Sequence, residues 1–145
     1  MRHGPLRALF RAARRSLYRL RARGVPVVYD TRYQRGVFGV PMDPLRGERV
    51  LGALEEAGLL VHDLVSEPRP ASLQNLLRVH TPEYLHAVQE ADALTRILGV
   101  EVPAREAEAT LDLQRLMTGG TIQATRLALR TGGAVVHLGG GFHHA

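Results

Sequence analysis

The 145-residue chain contains no cysteine, no lysine and no tryptophan. Without cysteine, the chain has no disulfide bonds, thiolate metal sites or cysteine nucleophiles, so any metal must be held by imidazole or carboxylate groups. No apolar run approaches the roughly 20 residues that span a bilayer, and arginines interrupt every candidate signal-peptide core near the amino terminus. We therefore expect a cytoplasmic protein with no membrane span.

Hydrophobic residues make up 45% of the chain and charged residues 23%, which are ordinary values for a globular protein. The length suits one domain with a sizeable core. The formal charge of +5 is unevenly distributed: residues 1–24 carry eight arginines and no acid, whereas residues 25–145 carry 11 arginines against 14 acidic residues, or −3. The sequence therefore predicts a basic segment, 1–24, and a mildly acidic body, 25–145.

Apolar residues recur at intervals of three and four between Leu6 and Leu20, with arginines between them. This spacing predicts a basic amphipathic helix that ends at Gly24. The arginines of residues 2–23 are chemically suited to nucleic acid or anionic lipid, and an organelle transit peptide has the same composition. We favour a helix that packs its leucines on the body, because a basic stripe is commonly a solvated face.

Three short apolar runs rich in β-branched residues predict strands: 25–30, 59–65 and 134–138. Four segments that begin with a capping residue or a proline predict helices: 43–58, from Ser72, from Thr81, and 104–130. In the first of these helices, Asp43 is the expected N-cap and Pro44 the first helical residue. Strands separated by helices predict an α/β domain with a largely parallel sheet.

Two adjacent glycines, Gly119 and Gly120, fall inside the last predicted helix. Together they cost about 2 kcal/mol relative to alanine in a helix interior, so something must offset them. Either the helix breaks at this point, or another backbone passes too close for a side chain.

The last predicted strand is followed by three glycines, a phenylalanine and two histidines. In open α/β sheets, ligands bind at the carboxyl ends of the strands. Glycines let the main chain approach a ligand closely, and two imidazoles that titrate near neutral pH can exchange protons with a substrate. The alternative is a disordered glycine–histidine tail. The position favours a functional site.

Several blocks of the sequence resemble, in order, the histone deacetylase family. They are Val28-Tyr29-Asp30, Pro41-Met42-Asp43-Pro44-Leu45-Arg46, the run 76–85, Thr118-Gly119-Gly120-Thr121 and the run 138–145. A phenylalanine between the glycines and the paired histidines is similar to the class IV and related bacterial members. The resemblance implies a three-layer αβα sandwich with a mainly parallel sheet of the arginase/deacetylase type, of which residues 25–145 form the amino-terminal part.

The chemistry that the resemblance implies is metal-dependent hydrolysis of an acyl-lysine or a related acylated amine. Zinc is the usual metal, which polarises the acyl carbonyl and activates a water. His143 would accept the proton of that water, and His144 would supply the second imidazole, toward the leaving amine. The positions matched to substrate binding are Arg46, Gly140, Gly141 and Phe142. By its position alone, Arg46 is a first-turn helix residue that faces solvent.

The family's metal ligands and its transition-state tyrosine lie downstream of the paired histidines. The ligands are an aspartate and a histidine separated by one residue, and a further aspartate. This chain has no Asp-x-His and extends one residue beyond His144. We therefore expect a truncated deacetylase that lacks metal ligands, is inactive alone and exposes an unpaired sheet edge.

Two other functions stay open. The chain is also consistent with a non-catalytic partner or scaffold that keeps the front half of the fold, with a second chain completing it. The second possibility is a binding module that uses the arginine-rich helix, with the body as its scaffold.

Overall fold

A computed structural model describes residues 24–37, 39 and 43–141, together with Ala13. The amphipathic helix predicted between Leu6 and Leu20 lies outside these residues apart from Ala13, so it stays a prediction. The strands are β1 (Val27–Val28), β2 (Val65–Ser66) and β3 (Val136–His137). The helices are α1 (Arg46–Glu56), α2 (Leu73–Leu76), α3 (Pro82–Ala87), α4 (Ala91–Leu98) and α5 (Ala104–Thr131). Two 3-10 helices span Thr31–Arg35 and His62–Leu64.

The three strands form one parallel sheet in the order β2-β1-β3. Val27 is paired with Val65 on one side and with Val136 on the other, so β1 is the central strand. The prediction of an α/β domain with a parallel sheet is therefore confirmed. Each strand is shorter than its predicted run, and in the run 59–65 the polar residues His62 and Asp63 lie in a 3-10 helix instead.

Two predicted helix starts are confirmed by side-chain caps. The hydroxyl of Ser72 accepts the backbone N–H of Asn75 at 3.2 Å, and that of Thr81 accepts the N–H of Tyr84 at 3.2 Å. The predicted cap at Asp43 and the predicted first helical residue, Pro44, were both wrong, because α1 begins at Arg46. The Asp43 carboxylate accepts the N–H of Leu45 at 3.0 Å and so stabilises a turn ahead of the helix.

Helix α5 runs without a break through Gly119 and Gly120. A Cβ atom at Gly119 would collide with the carbonyl oxygen of Arg69 and lie 2.9 Å from the backbone nitrogen of Ala71. The N–H of Ala71 also donates to the carbonyl of Arg115 at 2.8 Å. The second alternative is therefore correct: another backbone crosses the helix at this glycine, and its contacts offset the cost in helix propensity.

The main core lies between the carboxyl end of β1 and the middle of α5. Its buried members are Val27, Tyr29, Tyr33, Val37, Leu113, Leu116 and Met117. A second cluster, Leu94, Val102 and Ala107, fixes α4 to the start of α5. This packing holds α5 against the strand ends where ligands are expected. Among the described residues, no helix combines the length and the apolar character needed to cross a bilayer.

Candidate functional site

The carboxyl ends of β1 and β3 lie side by side because the two strands are parallel neighbours. Tyr29 and Asp30 follow β1, while Leu138 and the three glycines follow β3. The N–H of Leu138 donates to the carbonyl of Val28 at 3.0 Å, which fixes the end of β3 beside that of β1. We call this edge of the sheet the carboxyl edge.

Asp30 anchors the backbone as it leaves β1. Its side chain is only 4% exposed, and its carboxylate accepts the backbone N–H of Arg32 at 2.8 Å. The Arg32 guanidinium donates to both carboxylate oxygens, from Nε at 2.9 Å and from Nη2 at 2.6 Å. These side-chain hydrogen bonds hold the pKa of Asp30 below its ordinary value. Asp30 is therefore an ionised structural anchor and a poor candidate for a general base.

Tyr33, which is buried, and His137, which is half-buried, form a polar pair at the carboxyl edge, which we call the tyrosine–histidine pair. The Tyr33 hydroxyl lies 2.9 Å from Nε2 of His137, and Nδ1 of His137 lies 3.3 Å from the hydroxyl of Thr121. The Thr121 hydroxyl donates its proton to the carbonyl of Met117 at 3.4 Å. It therefore accepts from Nδ1–H, which leaves Nε2 as the acceptor of the Tyr33 proton.

Burial keeps both members of this pair neutral. It lowers the pKa of His137 and raises that of Tyr33 well above the ordinary value of a phenol. With both ring nitrogens engaged and its pKa lowered, the His137 imidazole is poorly suited to carrying protons near neutral pH. The pair is suited to positioning the backbone around it.

Two glycines make room for the tyrosine–histidine pair. A Cβ atom at Gly120 would collide with Nε2 of His137 and lie 2.5 Å from the Tyr33 hydroxyl. A Cβ atom at Gly139 would lie 2.6 Å from the same nitrogen and 2.8 Å from the Tyr33 ring. The pair thus joins the 3-10 helix after β1, helix α5 and the first glycine after β3. The sequence analysis missed this network, although a histidine inside an otherwise apolar strand was a usable signal.

Arg46 is the first residue of α1 and is exposed. It lines a cavity of about 30 Å³ together with Tyr33, Leu138 and Gly139. That volume suffices for a water or two and not for a substrate chain. The structure therefore brings Arg46, one of the residues predicted to bind substrate, next to the first glycine after β3.

Comparison with known proteins identifies the family. The family model of the histone deacetylase domain matches residues 40–145. The chain belongs to the histone deacetylase family. It is also 33% identical over 129 residues to histone deacetylase 2 of Arabidopsis thaliana, in an alignment that covers 83% of this chain. The alignment covers 33% of that protein, so the chain spans about a third of the length of this relative.

Family membership explains the small size of the parallel sheet. The order β2-β1-β3, with helices packed on the strands, is an incomplete α/β fold of the arginase/deacetylase type. The matched region includes the glycine segment at the carboxyl edge.

The other predicted site residues of this chain lie at or beyond the end of the described residues. Gly140 has a φ of 127°, a backbone conformation that side chains disfavour, and Gly141 is exposed. Phe142, His143 and His144 lie outside the described residues, so their roles stay predictions.

A metal site is not formed within the described part of the chain. Among these residues, no group of three or more histidine, cysteine, aspartate or glutamate side chains is placed to hold a metal ion. Asp30, the buried carboxylate nearest the carboxyl edge, is already engaged by Arg32. The described residues therefore do not fit a zinc ion.

Proposed function

We propose that this chain is the amino-terminal part of a metal-dependent deacetylase that hydrolyses an acyl-lysine or a related acylated amine. The observation that carries the proposal is the match of residues 40–145 to the deacetylase domain, which includes the glycine segment after β3. Zinc is the cofactor proposed for the complete domain, with ligands outside the described residues. The proposed substrate is an acylated lysine side chain or a free acylated amine.

The proposed roles at the carboxyl edge follow the resemblance. His143 accepts a proton as general base, and His144 provides the second imidazole on the side of the leaving amine. Arg46, Gly140, Gly141 and Phe142 contact the substrate. The tyrosine–histidine pair supports these roles because it packs on Gly139 and fixes the point from which the residues after β3 continue.

The finer classification rests on sequence. We propose a class IV-like bacterial member, because Phe142 separates the glycines from the paired histidines. The cytoplasmic location is a separate proposal from the sequence. We also propose that the deacetylase part begins at residue 25 and that residues 1–24 form a separate basic helix. The central position of β1 supports this boundary, since the sheet requires residues ahead of position 40.

A zinc titration with a fluorogenic acetyl-lysine substrate tests the proposal. We expect no turnover from the 145-residue chain alone. When catalytic residues act together, removing any one of them usually abolishes most of the reaction rate. Turnover by the chain alone would contradict the claim that its metal ligands lie elsewhere. A companion test is to read the DNA sequence beyond codon 145 in all three frames. We expect an Asp-x-His there within roughly forty codons, following the spacing of the parent motif.

A second candidate function is a non-catalytic partner that a second chain completes. The observation in its favour is that β3 is the edge strand of the described sheet, with Val136 39% exposed. This candidate applies if no reading frame beyond codon 145 encodes an Asp-x-His motif. It then predicts turnover only when this chain is mixed with a second chain that carries the metal ligands.

A further inference from the structure

A second cavity lies between α5 and the segment that follows β2. Its volume is about 230 Å³, and it shares no lining residue with the cavity beside Arg46. Three of its nine lining residues are arginines, and two more carry side-chain amides: Arg69, Arg126, Arg130, Asn75 and Gln123. Among the residues that the structure describes, no acidic one lines it. The cavity therefore presents positive charge and hydrogen-bond donors without a counter-charge.

The three arginines are unpaired within the described part of the chain. None of Arg69, Arg126 and Arg130 lies within 4.0 Å of a carboxylate there, whereas Arg32 and Arg49 both have such partners. Glu67, two residues from Arg69, interacts electrostatically with Arg32. Three guanidinium groups around one cavity repel one another, and an anion between them would relieve that repulsion.

Both walls of this cavity are fixed. On one wall, the backbone of residues 69–71 is seated on α5 at Gly119, and the Arg115 guanidinium donates to the carbonyl of Ala71 at 3.4 Å. On the other wall, Arg126 and Arg130 are four residues apart on α5 and so share a helix face. Gln123 ties the walls together by donating to the hydroxyl of Ser66 at 3.1 Å and the carbonyl of Glu67 at 3.2 Å.

We propose that this cavity is a binding site for a small phosphorylated anion, held by Arg69, Arg126 and Arg130. The planar fork of a guanidinium matches the oxygens of a phosphate group, and three of them suit a di- or triphosphate. The volume is below the range of drug-sized ligands, which favours a compact anion. No aromatic residue of the described segments lines the cavity, so these segments offer no ring on which a nucleic-acid base could stack.

Isothermal titration calorimetry of the 145-residue chain with inorganic pyrophosphate tests this site. We expect binding by the unaltered chain and an affinity about 10-fold or more lower in the double variant Arg126→Gln/Arg130→Gln, since hydrogen bonds to charged groups are the strong ones. Arg126→Lys keeps the charge but not the fork, and we expect an intermediate affinity. Circular dichroism establishes that each variant is folded before it is titrated.

The matched control is Arg78→Gln/Arg96→Gln, which removes the same charge from exposed arginines outside the cavity. This control is needed because the eight arginines of residues 1–24 also attract anions. We expect the control to bind pyrophosphate like the unaltered chain. Equal weakening of both double variants, or no binding of pyrophosphate at millimolar concentration, would overturn the proposal. Displacement of pyrophosphate by a single-stranded oligonucleotide of higher affinity would also overturn it, in favour of a nucleic-acid surface.

Discussion

The hydroxyl of Tyr33 is buried, and its hydrogen-bond partner is Nε2 of His137 at 2.9 Å. In the Tyr33→Phe variant the ring still packs, but Nε2 of His137, which is partly buried, loses its hydrogen-bond donor. Leaving such a group unsatisfied costs about 1–3 kcal/mol. We therefore expect the free energy of unfolding to fall by about that amount, measured by urea denaturation of the 145-residue chain.

Tyr84→Phe is the matched control for this experiment. Tyr84 is exposed, and its ring stacks on His80 with the centroids 4.9 Å apart, a contact that phenylalanine preserves. We expect a change below about 0.5 kcal/mol, as for ordinary surface substitutions. Equal effects of the two substitutions would show that the Tyr33 hydroxyl contributes nothing specific.

We expect His137 to make the stability of the chain depend on pH. Burial lowers its pKa below the ordinary value of 6.5, so between the folded and unfolded pKa values the unfolded state binds more protons. The contribution of His137 is therefore complete above about pH 6.5 and is lost as the pH falls toward the folded pKa, below which the loss levels off. We expect this part of the pH dependence to disappear in His137→Gln. The measurement is the unfolding free energy of both chains between pH 5 and 8, and parallel curves would refute the expectation.

Helix α5 depends on the absence of a side chain at Gly119. In isolation, Gly119→Ala would favour the helix by about 1 kcal/mol. Here the added methyl group collides with the carbonyl of Arg69, and a backbone cannot move aside as a flexible side chain can. We expect net destabilisation of about 1–3 kcal/mol or more, as for other overpacked sites. Thermal and urea unfolding measure it.

The matched control for Gly119→Ala is Gly52→Ala in α1. Within the described part of the chain, no atom lies within 4 Å of a Cβ built at Gly52, so only the helix propensity is expected to change. We expect stabilisation of about 0.5–1 kcal/mol. If Gly119→Ala were to stabilise the chain like Gly52→Ala, the close crossing of α5 by residues 69–71 would be refuted.

Local signals predicted most of the elements. Ser72 and Thr81 cap the helices that they were expected to start, because a cap needs only residues three positions apart. Helix α4 was not predicted, because glutamate is not a favoured N-cap residue and so gave no start signal. In the structure Glu90, at the N-cap of α4, makes no side-chain cap hydrogen bond. The continuity of α5 was undecidable from the sequence, because it depends on Arg69, some fifty positions away.

The candidate site was predictable only where it follows a contiguous motif. Gly140 and Gly141 belong to such a motif, and a known family pattern made Arg46 a candidate. Tyr33 and His137 are separated by 104 positions, and nothing local to either residue indicates the other. Gly120 and Gly139 become informative only once the fold places both against the same two side chains.

At the scale of the whole molecule, the exposed edge of β3 is a route to self-association. Val136 is 39% exposed on the outer strand of the described sheet, and unpaired strand edges template association. We expect the 145-residue chain to self-associate with rising concentration, and Val136→Lys to reduce this. Val79→Lys is the control, because Val79 is 79% exposed but lies outside the sheet. Sedimentation velocity measures both, and equal effects would point to general hydrophobicity instead of the edge.

The central position of β1 also affects how the chain folds during synthesis. Val27 is made before its partner Val136, which leaves the ribosome 109 residues later. Until then, one side of the first strand has no native neighbour, and such long-range pairing is slow and prone to misassembly. The pairing of β1 with β3 therefore has to wait until the whole of the intervening chain has been synthesised.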